Sequence, residues 1–241
     1  MQNVNQDPAP KVTVRAPNRL PETFGQQLKR MVVAIFIVLD CTGSMDEYIA
    51  GVIKALIRFS ELLFEANLEP IIGLITFRDE TYGERTVVYP LRTSLEKIRE
   101  ILLATKAEGG GDEPESSLPA IMRGVDGFDN ANPEAKRVIL HITDNPPHDP
   151  EAGLTSASVL KALCQKGIIY FACTPAIEPY KSLANKTGGT LFPLAANMDA
   201  DAFKDVLLAV AHQTIKTVRR DGPVLTDEAL DALRQLGYRE E

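Results

Sequence analysis

Runs of apolar residues with strand length alternate along this chain with segments whose apolar residues recur at helical spacing. Val32–Leu39, Ile71–Phe77, Arg137–Thr143 and Ile168–Thr174 read as strands, and Thr190–Leu194 as a weaker one. Thr86–Leu91 is short and β-branched, which suits an edge strand. Ile49, Val52, Ile53, Leu56, Phe59 and Leu63 fall on one helical face. Leu95, Ile98 and Leu102 do the same behind Thr93-Ser94-Leu95-Glu96, which has the spacing of a capping box with Thr93 as the cap. A third helix is expected from Leu118, Ile121, Met122, Val125 and Phe128, with Pro114 and Glu115 in its first turn. Val159, Leu160 and Leu163 mark a fourth, and Phe203, Val206, Leu207, Val210 and Thr214 a long final one.

Uninterrupted apolar strands are expected where both faces of a parallel sheet are covered. Their alternation with helices predicts an α/β fold over residues 31–218: a doubly wound, Rossmann-like, mostly parallel sheet of about six strands with one antiparallel edge strand. Residues 1–30 are rich in Pro, Asn and Gln and read as a flexible arm. Residues 219–241 read as a tail in which, after Arg219-Arg220-Asp221-Gly222-Pro223, a short amphipathic helix carries Leu230, Leu233 and Leu236, to pack onto the same domain or to bind a partner.

Composition narrows the function classes. The 241 residues suffice to bury a sizeable core, and a net charge of −7 argues against nucleic-acid binding, which needs a basic surface. Three cysteines without a C-x-x-C suggest neither a disulfide framework nor a zinc site. The longest apolar run is too short to span a bilayer, and no signal peptide is apparent, so a cytoplasmic location is expected.

The candidate chemistry lies where the strands end. Asp40-Cys41-Thr42-Gly43-Ser44-Met45 follows the first strand and offers one carboxylate and two hydroxyls at alternate positions. Mg²⁺ prefers oxygen ligands and usually binds through one or two carboxylates while keeping several waters. As a lone turn the segment reads more strongly as a helix cap. Ligands of open α/β sheets bind at the carboxyl ends of the strands, and three more segments should reach that edge. These are Gly109-Gly110-Gly111-Asp112-Glu113-Pro114-Glu115-Ser116, the strand end Ile142-Thr143-Asp144 before Asn145-Pro146-Pro147-His148, and Thr76-Phe77-Arg78-Asp79. Arg78 and Asp79 are expected on the rim, as an ion pair or as partner contacts, with His148 near a bound partner or ordering its loop.

The three motifs DCTGSM, GGGDEPES and ITDNPPH, in this order and context, resemble the von Willebrand factor A domain and its metal-ion-dependent adhesion site. The pattern is similar to a subgroup that includes hemicentin-like and alpha-kinase-associated A domains and many bacterial proteins. The resemblance implies Asp40, Thr42, Ser44 and Asp144 as metal ligands. It places Glu115 where integrin beta subunits have a ligating glutamate, and Asp112 at a nearby acid that can serve an adjacent cation. It implies Mg²⁺, with Mn²⁺ or Ca²⁺ as alternatives, accepting an Asp or Glu carboxylate from a protein partner. Glu115 would occupy that position in a resting state. It also implies a non-enzymatic adaptor, with multi-protein assemblies containing an ATPase among the settings expected.

Two other readings are weighed beside it. A haloacid-dehalogenase-like phosphohydrolase would use Asp40 as nucleophile beside Mg²⁺, but needs a second acid where Thr42 stands. A metal-free structural scaffold is the other alternative.

Overall fold

The computed structural model describes residues 30–110, 113–195 and 198–220. Most of the amino-terminal arm, the segment after Arg220, and Asp112 lie outside the described residues. Six strands form one sheet: β1 (Met31–Asp40), β2 (Leu68–Phe77), β3 (Val87–Tyr89), β4 (Lys136–Ile142), β5 (Ile168–Thr174) and β6 (Leu191–Pro193). Their order across the sheet is β3-β2-β1-β4-β5-β6. Every neighbouring pair is parallel except β2 with β3, so the expected antiparallel edge strand is present. The helices are α1 (Asp46–Glu65), α2 (Leu95–Ala104), α3 (Ser117–Gly127), α4 (Ser156–Gln165), α5 (Tyr180–Lys186) and α6 (Ala200–Arg220).

The central strand shows why its sequence is apolar throughout. Val33, Ile35, Ile37 and Leu39 join the core beneath α1, α2 and α6. Ala34, Phe36 and Val38 alternate into the core beneath α3, α4 and α5. A strand buried on both faces can spare no polar position, so the period-two pattern of a one-sided sheet is absent.

Close helix contact fixes the edge of the first layer. A Cβ built on Gly51 of α1 would lie 2.8 Å from Phe203 Cδ1 and 3.0 Å from the Ala200 carbonyl oxygen of α6. Glycine at this position lets the two helices approach at the end where both begin. Gly51→Ala gains about 1 kcal/mol of helix propensity but must push backbone apart. We expect a net loss of about 1–2 kcal/mol, read by urea denaturation.

Three local expectations are corrected. Ser94, rather than Thr93, caps α2: its side chain accepts the Lys97 backbone N–H, while the Thr93 hydroxyl donates to the Pro90 carbonyl. The third helix begins at Ser117, so Pro114 and Glu115 precede it. Glu115 is held extended by two backbone bonds, its N–H to Pro146 O at 2.9 Å and its carbonyl from His148 N–H at 3.1 Å. Those groups are therefore engaged across the loop and unavailable to a helical turn. Finally, α5 was not foreseen. It is only seven residues long, and its buried residues Tyr180, Leu183 and Ala184 give too short a period to recognise.

Candidate metal centre

In this sheet the connections reverse between β1 and β4, with β2 on the other side of β1. The carboxyl end of β1 is therefore the switch point, where a crevice opens between diverging loops. Leu39 pairs with Ile142, so Asp40 and Thr143 leave the sheet side by side. The Thr143 hydroxyl donates to Asp40 Oδ2 at 2.6 Å, and Asp40 Oδ1 accepts from the Thr42 N–H and hydroxyl, both at 2.8 Å. The Ser44 hydroxyl donates to Asp144 Oδ1 at 3.0 Å. Asp40, Thr42, Ser44 and Asp144 thus converge at the predicted edge.

The donor pattern matters chemically. Each hydroxyl gives its proton to a carboxylate, which leaves its oxygen lone pairs free to face a cation. Asp40, Thr42 and Thr143 are buried, whereas Ser44 is exposed and Asp144 half-buried, so the cluster opens to solvent on one side. Burial drives the Asp40 carboxyl up to about 6, against the hydrogen bonds from Thr143 and Thr42 that favour its charged form.

Glu115 enters from the third loop. It is buried, its Oε1 accepts from Asn145 Nδ2 at a long 3.5 Å, and its Oε2 has no hydrogen-bond partner. Burial, then the charges of Asp40, Asp79, Glu84 and Asp144, push its carboxyl up to about 8. A buried carboxylate with an orphaned oxygen costs free energy unless a proton or a cation compensates it. Gly110, at φ +73°, lies so close that a Cβ there would stand 2.8 Å from Glu115 Oε1 and 3.0 Å from Thr42 Cγ2. Gly109, at φ +83°, similarly leaves room only for the Glu84 carboxylate. The glycines therefore let backbone lie against the acidic cluster where any side chain would intrude.

The residues present fit a hard cation: two carboxylates, two hydroxyls with free lone pairs, and one buried carboxylate with an unpartnered oxygen. Among the described residues no three His, Cys, Asp or Glu side chains are grouped to hold a metal by themselves. Hydroxyls and water would have to complete the coordination, as suits Mg²⁺. Asp112 lies outside the described residues.

The three residues expected to meet a partner have other surroundings. Arg78 is not paired with Asp79. Its Nε donates to the carbonyls of Cys41 at 3.1 Å and Glu108 at 2.7 Å, and its Nη2 to Lys106 at 2.8 Å. It ties the first and third loops together. Asp79, expected on the rim, is fully buried, because the backbone and hydroxyl of Thr81 bind its Oδ1 at 2.8 and 2.6 Å and cap the turn that follows β2. Burial raises the Asp79 carboxyl, but the Thr81 and His148 hydrogen bonds outweigh it and hold it below the ordinary range. His148 Nε2 lies 3.4 Å from Asp79 Oδ2, so this ring orders the loop while remaining partly exposed.

Some residues of the site escape sequence reasoning. Thr143 stands inside the ITD motif, and its hydroxyl next to the acid was the available signal. Glu84 arrives from a loop with no motif, and only the fold brings its Oε2 to the Gly110 N–H at 3.2 Å. Ser116 donates to Glu151 Oε1 at 2.6 Å and accepts from the Glu80 N–H at 2.7 Å, forming a buried support behind Glu115.

A family model described as von Willebrand factor A domain matches residues 34–196. The chain belongs to the von Willebrand factor A domain family. Members of this family generally act as protein-interaction modules. Two curated relatives share part of the domain. The alpha-protein kinase vwkA of Dictyostelium discoideum is 28% identical over 124 residues, covering 49% of this chain and 19% of that protein. A putative ariadne-like RING finger protein, R811, of Acanthamoeba polyphaga mimivirus is 26% identical over 117 residues, 48% of this chain and 11% of that protein. The match thus spans a fifth or less of either relative's length. Among solved structures, the pilus adhesin SpaC of Lactobacillus rhamnosus GG, in an open conformation, superposes with a TM-score of 0.55 at 15% identity. The superposition covers 77% of this chain and 30% of the adhesin. That likeness establishes a shared fold. No helix among the described residues is long and apolar enough to cross a membrane.

Proposed function

We propose that this A domain is a divalent-cation-dependent protein-binding module, in which Asp40, Thr42, Ser44 and Asp144 hold Mg²⁺ and a partner supplies an Asp or Glu carboxylate. The observation that carries the reading is the contact of Ser44 with Asp144 across the switch point, 3.0 Å apart and open to solvent, beside the buried Asp40–Thr42–Thr143 cluster. When bound, the cation would supply an electron-poor site for a carboxylate oxygen. The chain's own residues do the rest. Thr42 and Ser44 present neutral oxygens, Asp40 and Asp144 orient those hydroxyls, and Arg78 holds the loops around them. Glu115 supports a gate: as a buried acid that feels the charges of Asp40 and Asp144 and whose Oε2 lacks a partner, it competes with an incoming carboxylate. Non-enzymatic action is part of the proposal. Thr42 gives Asp40 no neighbouring acid to act as a proton donor, which weakens the phosphohydrolase reading. A protein assembly, including one built around an ATPase, is the setting expected.

A pull-down from lysate with Mg²⁺ or with chelator, using wild type and Ser44→Ala, tests this. We expect a set of partners held only by wild type with Mg²⁺. Partners retained equally with chelator and by Ser44→Ala would remove the metal-bridged contact. The absence of any Mg²⁺-dependent rise in melting temperature would favour the scaffold reading.

A further inference from the structure

The loop that follows Asp144 builds one wall of a groove on the flank of the metal centre. Pro146, Pro147 and Pro150 come from this loop, Pro114 from the third loop, and Pro179 from just before α5. They border a cavity of about 730 Å³ that runs between α4 and α5, where buried Leu183 and half-buried Leu160 line it. Its walls are tied to the loops of the cation site. The Glu115 N–H donates to Pro146 O at 2.9 Å, and the Tyr180 hydroxyl of α5 donates to the Asn145 carbonyl at 2.9 Å. Asn145 directly follows Asp144, and Glu115 directly follows Pro114, so groove and cation site share two loops.

The chemistry of these walls selects an occupant. Proline presents a flat ring face and has no N–H to donate. Asp149 and Glu178 add two carboxylates to the lining, against the single ammonium of Lys186. Both acids are exposed, and among the described residues neither meets a cation. Each accepts one backbone N–H, Asp149 Oδ1 from Ser156 and Glu178 Oε2 from Ser182, both at 3.2 Å. The groove therefore offers ring faces and more acceptors than donors. Arginine matches this, because its planar, weakly hydrated guanidinium can lie on an apolar face while its N–H groups meet carboxylates. An acidic side chain would meet like charge, and a purely apolar one would desolvate two carboxylates without compensation. Five prolines also fix the walls before binding, so little order is lost when the groove fills.

We propose that this groove is a second contact of the partner site and takes an arginine from the same protein segment whose acid meets the cation. The pairing of the two contacts rests on the metal-bridged reading; the arginine pocket stands on its own lining residues.

Heteronuclear NMR of the full chain tests the pocket directly, since the Ser156 and Ser182 amides are bonded to the two acids. Acetyl-arginine amide should move both amides saturably, with Mg²⁺ or with chelator. Acetyl-citrulline amide, similar in shape but uncharged, should bind at least about tenfold more weakly. Asp149→Asn combined with Glu178→Gln should remove the arginine response. Both positions are exposed, and each new amide keeps an oxygen for its serine N–H, so the fold stays intact. Citrulline binding as tightly as arginine, or an arginine response that survives the double substitution, would overturn the pocket. Peptides that join one glutamate to one arginine through glycine linkers of graded length test the pairing. With Mg²⁺, one length should bind at least about tenfold tighter than acetyl-arginine amide and lose that gain to chelator. No gain at any length, where Mg²⁺ and acetyl-glutamate amide still move the Ser44 and Asp144 amides, would overturn the shared segment. If those two amides stayed unmoved, the metal bridge itself would fail and the pairing with it, while a persisting arginine response would keep the pocket.

Discussion

Asp40→Asn is expected to weaken Mg²⁺ binding by about 100-fold or more while the domain stays folded. The amide keeps the shape of the carboxylate and the oxygen that accepts from the Thr42 N–H and hydroxyl. Its nitrogen would face Thr143, whose hydroxyl can turn to accept. What the substitution removes is the negative charge at the carboxyl end of β1. Titration calorimetry with Mg²⁺ reads the affinity, and circular dichroism reads the fold. An affinity within about threefold of wild type, corresponding to less than 1 kcal/mol, would take Asp40 out of the ligand set.

Glu115→Gln should stabilise the cation-free protein at pH 8 and change its response to pH. In wild type the folded carboxyl titrates at about 8, driven up by burial and by Asp40, Asp79, Glu84 and Asp144. An unfolded glutamate titrates at about 4.3, so between these values the folded state holds a proton that the unfolded state has lost. Stability therefore falls as pH rises from about 4.5 to 8 and is fully retained only below that window. Asp40, raised to about 6, adds a smaller fall of the same sign at the acidic end. With chelator present, wild type should lose roughly 1–3 kcal/mol between pH 5 and 8, and Glu115→Gln much less. Mg²⁺ should reverse the trend, because a cation that needs the ionised acid binds about tenfold more weakly for each pH unit below 8. Urea denaturation at both pH values, with and without Mg²⁺, checks this. Parallel profiles for wild type and variant would show that Glu115 is not the titrating group.

The fold was legible because β1, β2, β4 and β5 are buried on both faces, and such strands announce themselves as unbroken apolar runs. The short elements were harder. Seven-residue α5 is positioned by its packing against β5, and tertiary contact decides it more than its own periodicity. At the site, three sequence motifs carried Asp40, Thr42, Ser44, Glu115 and Asp144 to one edge, since strand ends in a parallel sheet share that edge. Loop conformation was beyond such reasoning. Glu115 was expected inside a helical turn and is instead bridged to Pro147, while Asp79 turned inward to hold Thr81. Arg78 could be seen as a charge at a strand end, but its three carbonyl partners come from residues 28 to 37 positions away, spacings that no local pattern encodes.

The first and last described elements give the domain a direction. Met31 opens β1 at the end of the sheet opposite Asp40, and α6 runs from Ala200, whose N–H meets Glu47 near the site, down to Arg219 beside Ala66. At 1.5 Å per residue, α6 spans about 30 Å from pole to pole. Met31 and Arg219 therefore both lie at the pole opposite the turn that carries Asp40, Thr42 and Ser44.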